Sequence, residues 1–156
     1  MKINKYLKEL GLEWYDMPGN YDGKLHNCGI NKLESSAAAD PRNKEDEEGF
    51  CTYEFFSFDY TLSLFIYSKL CYFREHIADM CTPGCLCTYS ESSFTSEERE
   101  YHSKVAHNKW LSIVDKMILA FKLKITGVRE GFEGVDNAAI REGMQLFAEY
   151  YDCLWY

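Results

Sequence analysis

The side chains of this 156-residue chain that could serve as nucleophiles, bases or metal ligands include seven cysteines and four histidines. Three of the cysteines cluster as Cys81-x₃-Cys85-x-Cys87, with His76 one turn before them. Structural zinc sites generally use two ligand pairs such as C-x₂-C. Here the second pair is missing and the C-x-C spacing does not fit, so the cluster reads as a thiol-rich turn and no metal is expected. Cysteine catalysis needs a histidine base positioned beside the thiol, and no local signature singles out His26, His76, His102 or His107 for that task. His102 follows Glu98 by four residues, the spacing of a pair on a helix surface. Glu97, Glu98 and Glu100 are explained by a helix start, where carboxylates meet the positive end of the dipole. Glu45 to Glu48 form a solvated run. The calcium loop pattern, the EExxH of helical di-metal sites and the glycine loops of nucleotide enzymes are all missing. The expectation is a protein that is not an enzyme and carries no cofactor.

One cation remains. In "FDYTLSLFIYSKLCYFREHI" a helical period aligns Leu62, Ile66, Phe73, Ile77 and Met80 in one apolar stripe, with Lys69 in its middle and Arg74 on its edge. On the simpler reading Lys69 lies under an aromatic arm, its methylenes packed and its ammonium reaching water or an acid. On the sharper one Lys69 and Arg74 hold a phosphate while Tyr60, Trp14 or Trp110 stack on a base. Such stacking contributes about 1–3 kcal/mol per base.

The elements that would position these residues are helical. "KINKYLKEL" makes a short helix stopped by Gly11, and residues 11–54 read as an irregular arm with an acidic loop at 40–49. A helix over about 58–80 ends at the Pro83-Gly84 turn. "TSEE", from Thr95 to Glu98, is a capping box that opens a helix running to about Thr126, with Gly127 as its stop. Trp110, Ile113, Val114, Met117, Phe121 and Ile125 form its apolar face. The last helix, about 136–154, spaces Ile140, Met144, Phe147, Tyr151 and Leu154 as a packing seam. The fold expected is all-α: one helical domain over 1–156, a bundle of three main helices with a short N-terminal helix and a long irregular arm.

Composition narrows the classes of partner. Seventeen basic against 25 acidic side chains give a net charge of −8, which argues against duplex nucleic acid. The acids concentrate between residues 34 and 59. From 99 to 141 the balance reverses, with Arg99, Lys104, Lys109, Lys116, Lys122, Lys124, Arg129 and Arg141 against five acids. That leaves room for a small phosphate-bearing ligand. No apolar run approaches the length of a membrane span, and the N-terminus lacks the pattern of a signal peptide, so a cytoplasmic location with free thiols is expected. Trp155 and Tyr156 have little chain left to cover them, which points to a homo-oligomer.

Three stretches resemble a family. "FDYTLSLFIYSKLCYFREH", "WLSIVDKMILAFKL" and "REGMQLFAEYYDCLW" are similar, in order and spacing, to the three blocks of a widespread and largely uncharacterised family of small phage and prophage proteins. The similarity spans about residues 55–156 and brings no catalytic residues with it. It implies a role in the host cytoplasm: binding and withholding a nucleotide signal of host defence. The alternatives are an inhibitor that grips a host protein through the acidic loop, or a structural or packaging accessory.

Overall fold

The computed structural model describes residues 4–12, 58–80, 82–87 and 94–154. Trp14, the acidic loop at 40–49, Cys81, Trp155 and Tyr156 lie outside these. The described residues form four helices, α1 (Lys5–Glu9), α2 (Phe58–His76), α3 (Ser96–Glu130) and α4 (Asn137–Glu149), with short 3₁₀ turns at Gly84–Leu86 and Tyr151–Cys153. No strand occurs among them, and the fold is all-α with three main helices. None of these helices is long and apolar enough to cross a membrane. The chain divides into two compact units, Met1–Ser68 and Lys69–Tyr156, with the boundary inside α2.

In the first unit, Asn4 caps α1 by accepting the Leu7 amide at 3.1 Å, and Gly11 ends the turn with φ of 70°. Tyr6, Leu7 and Leu12 are buried. The α2 residues of this unit bury Tyr60, Ser63, Leu64, Tyr67 and Ser68. This corrects the expected stripe. Leu62 and Ile66 are only half-buried and Lys69 is exposed, so the buried face lies about a third of a turn away from the one read off the aliphatic residues. The serines explain the shift. Ser63 Oγ donates to the Asp59 carbonyl at 2.6 Å and Ser68 Oγ to the Phe65 carbonyl at 3.0 Å, so each hydroxyl is satisfied by its own helix and can be buried. In addition, α2 ends at His76 rather than 80. Residues 77–80 form a turn, and Met80 is exposed.

The second unit is built on α3. Thr95 and Glu98 form the expected capping box: Thr95 Oγ1 accepts the Glu98 amide at 3.2 Å, and the Glu98 carboxylate accepts the Thr95 amide at 2.8 Å. The apolar face appears as read, with Trp110, Ile113, Val114, Met117, Phe121 and Ile125 buried. The end of the helix does not. Gly127 sits inside α3, which continues to Glu130 and stops at Gly131 with φ of 89°. Gly127 instead lies under the exposed Phe132 ring, which folds back over it: a Cβ there would come within 2.6 Å of the ring and push it aside. Asp136 then caps α4 by accepting the Ala139 amide at 2.9 Å.

α4 packs on α3 through small residues. A Cβ at Gly143 would run into the Lys116 carbonyl oxygen and come within 2.5 Å of Ala120 Cβ, so only a hydrogen fits. Beside this contact Phe121 meets Phe147 edge-on with centroids 5.3 Å apart, and Lys116 Nζ pairs with the Glu142 carboxylate at 2.6 Å. The seam expected over Ile140, Met144, Phe147, Tyr151 and Leu154 is covered only in part. The first three are half-buried, α4 ends at Glu149, and Tyr151 in the following 3₁₀ turn is 64% exposed.

Candidate functional site

The five residues expected to form a ligand pocket fall into different environments. Trp14 lies outside the described residues. Tyr60 belongs to the first unit and is buried. Trp110 is fully buried, its ring meeting Phe73 edge-on at 6.1 Å and Tyr150 tilted at 6.0 Å, so it is a core residue with no face left for a ligand. Its indole nitrogen is buried with no hydrogen-bond partner among the described residues.

Arg74 and Lys69 do not share a face, since five residues on a helix turn by roughly 140°. Arg74 Nε donates to Asp115 Oδ1 at 2.8 Å, and its other guanidinium nitrogen lies 3.7 Å from Asp79 Oδ1. Two carboxylates therefore already neutralise it. The same Asp79 oxygen is 3.7 Å from His107 Nε2, and His107 Nδ1 is 3.1 Å from the Thr82 hydroxyl. The order hydroxyl, imidazole, carboxylate has the composition of a nucleophile relay. The geometry gives it another task. Asp79 is shared with Arg74 at ion-pair rather than hydrogen-bond distance, so these contacts tie the turn at 77–80 and Thr82 to α3. A cavity of about 410 Å³ opens beside it, lined by Asp79, Ser103, Lys104, His107 and Asn108. Its one lysine is already bonded to Glu100 at 2.7 Å.

The outward face of α2 in the second unit carries a row of exposed side chains. Lys69, Tyr72 and His76 follow one another at i, i+3 and i+7, and all three are exposed, Tyr72 by 52%. The Tyr72 and His76 rings lie 4.4 Å apart at an interplanar angle of 42°. A cation and an aromatic pair thus stand on one solvent-facing strip. The spacing from Lys69 to Tyr72 and His76 is a signal present in the sequence. The aliphatic residues of α2 mask it, because they suggest a different phase for the helix.

No family model, no curated protein and no solved structure matches this chain.

Proposed function

We propose that the protein is a non-catalytic, phage-type binding protein that takes up a small anionic ligand of nucleotide type and withholds it from an effector of host defence in the cytoplasm. The observation that carries this reading is the exposed strip of Lys69, Tyr72 and His76. An aromatic side chain offers a base its π-face, worth about 1–3 kcal/mol, and a neighbouring ammonium offers a phosphate its charge. Lys69 keeps its place from the sequence reading, and Tyr72 takes the stacking part that buried Tyr60 and Trp110 cannot play. The resemblance to phage proteins supports a defence signal as the ligand.

A thermal-shift screen against cyclic dinucleotides and other nucleotide signals tests this. Ligand at a hundredfold excess over Kd stabilises the native state by about 2.7 kcal/mol. The shift is expected to shrink in Lys69→Ala and in Tyr72→Ala, the latter weakening binding by roughly five- to a hundredfold. Both side chains are exposed, so neither change threatens the fold. If no nucleotide shifts the protein, or both variants respond like wild type, the reading is wrong. Capture of a host protein that depends on Glu45 to Glu48 would then favour the acidic-loop inhibitor.

A further inference from the structure

Along the exposed side of α2, Lys69 and His76 stand about 10 Å apart on the helix axis, with Tyr72 between them. The His76 ring tilts against that of Tyr72 at 4.4 Å and 42°, which fixes the imidazole while leaving it open to solvent. Its Nε2 lies 3.7 Å from Glu75 Oε1, beyond hydrogen-bond distance. Tyr72 and Glu75 are the titratable groups that face it from its own helix. Among the described residues no side-chain hydrogen bond, ion pair or ring contact reaches it from the turn at 77–80, from α3 or from α4. The one acid of that turn, Asp79, is turned to Arg74 and His107. A lysine ammonium is a standing charge at neutral pH, whereas an imidazole gains or loses its charge between about pH 5 and 8. The strip therefore changes from one cation to two as the solution is acidified.

We infer that His76 couples ligand uptake on this strip to a proton: the anionic nucleotide binds with His76 protonated, and its affinity rises as pH falls from about 8 to about 6. The inference rests on the proposed use of the strip and adds its regulation. A base stacked on Tyr72 has a cation one turn away on either side, so its phosphate reaches the imidazole as readily as the ammonium. Beside a phosphate the imidazolium is stabilised by a charge that the free protein does not hold there. The bound state therefore keeps the proton more tightly than the free state. Binding then takes up at most one proton, onto the imidazole, and acid strengthens it. The gain is complete once His76 is protonated in the free protein as well. Glu75 already offers the free imidazolium a carboxylate, which holds the gain to that of an exposed ion pair, about two- to fivefold in Kd.

The test needs ligands whose own charge is constant over this range. Phosphate monoesters lose a proton near about pH 6, so the probes are phosphodiesters: the cyclic mononucleotides and cyclic dinucleotides of adenine and guanine. Each is titrated calorimetrically into the full chain at about pH 6 and about pH 8, in two buffers of different ionisation enthalpy. The expected result is a Kd about two- to fivefold lower at the acid value. A binding enthalpy that depends on the buffer should report proton uptake between the two values. His76→Gln keeps an exposed polar side chain without a titrating ring. Its affinity should not change between the two pH values, and it should take up no proton. His102 and His107 remain in that variant, so the comparison isolates His76 from them. Equal affinity at both pH values in the wild type, or the same pH dependence in His76→Gln, overturns the proton coupling and leaves the strip standing as a binding surface. If none of these nucleotides binds at either pH, the strip is not that surface, and the inference falls with it.

Discussion

At Gly143 the choice between a hydrogen and a methyl group decides how closely two helices approach. Alanine is favoured over glycine inside a helix by about 1 kcal/mol, so propensity alone predicts that Gly143→Ala stabilises the protein. The surroundings reverse the sign. The added Cβ would strike the Lys116 carbonyl oxygen and Ala120 Cβ, and a backbone carbonyl cannot swing aside as a side-chain tip can. Relief requires α3 and α4 to separate, and overpacking of this kind costs typically 1–3 kcal/mol. Contact with backbone puts the cost toward the upper end of that range, and against the propensity gain of about 1 kcal/mol it leaves an expected net loss of about 1–2 kcal/mol, seen as a lower urea midpoint with an unchanged slope. An unchanged or raised midpoint would show that the helices yield freely there. The same scale shows where sequence reading succeeds and where it slips. The buried face of α3 is legible because Trp110, Ile113, Val114, Met117 and Phe121 are large and apolar. That of α2 is not, because two of its buried residues are serines whose hydroxyls bond to their own helix, and two are tyrosines. A hydropathy pattern sees polar residues there and rotates the helix, which carries Lys69 from solvent into an imagined core.

At the scale of an element, α3 is the helix whose start is most fully written in the sequence. Thr95 Oγ1 accepts the Glu98 amide while the Glu98 carboxylate accepts both the amide and the hydroxyl of Thr95. The hydrogen bond from the Thr95 backbone, followed by that from its hydroxyl and the positive charge of His102, holds the Glu98 carboxyl below its ordinary range. A carboxylate whose folded value is depressed stabilises the native state above the unfolded value, and that contribution disappears as pH falls through the folded value. Acidification below the usual carboxylate range should therefore fray the first turn of α3, read as faster amide exchange at residues 96–100. Glu98→Gln should lose that pH dependence, and Thr95→Ala should lower stability by about 1 kcal/mol at neutral pH. Exchange at 96–100 with the same acid dependence in wild type and Glu98→Gln would sink this account. The helix ends were less legible. Gly127 looks like a stop, yet it is a contact point for Phe132, and the true stop at Gly131 is recognised only by its positive φ. The candidate strip on α2 was legible in its lysine alone, since Tyr72 and His76 gain meaning only once the exposed side of the helix is known.

For the whole molecule, the outstanding question is what covers the apolar side chains left in solvent. Single exposed aliphatics such as Leu119 at 44% or Val128 at 42% are ordinary on any surface. The end of α4 is less ordinary. Phe121, buried in the core, meets Phe147 at 5.3 Å, and Phe147 meets Tyr151 at 5.8 Å, so an unbroken line of rings runs from the interior to a tyrosine that is 64% exposed. A continuous apolar run that reaches solvent is the kind of surface a second copy covers in a symmetric dimer, where each chain presents the same patch. The net charge of −8 opposes that association by mutual repulsion, and salt screens such repulsion between exposed charges. The expected outcome is a dimer mass by light scattering at micromolar concentration, with the monomer–dimer balance moving toward dimer as salt is raised. Burying a large apolar side chain contributes about 1.5–3 kcal/mol, and both copies lose theirs in Tyr151→Ser. That variant should therefore dissociate at concentrations at least tenfold above those that dissociate the wild type. A monomeric mass for the wild-type chain in both low and high salt would reject self-association through this run of rings.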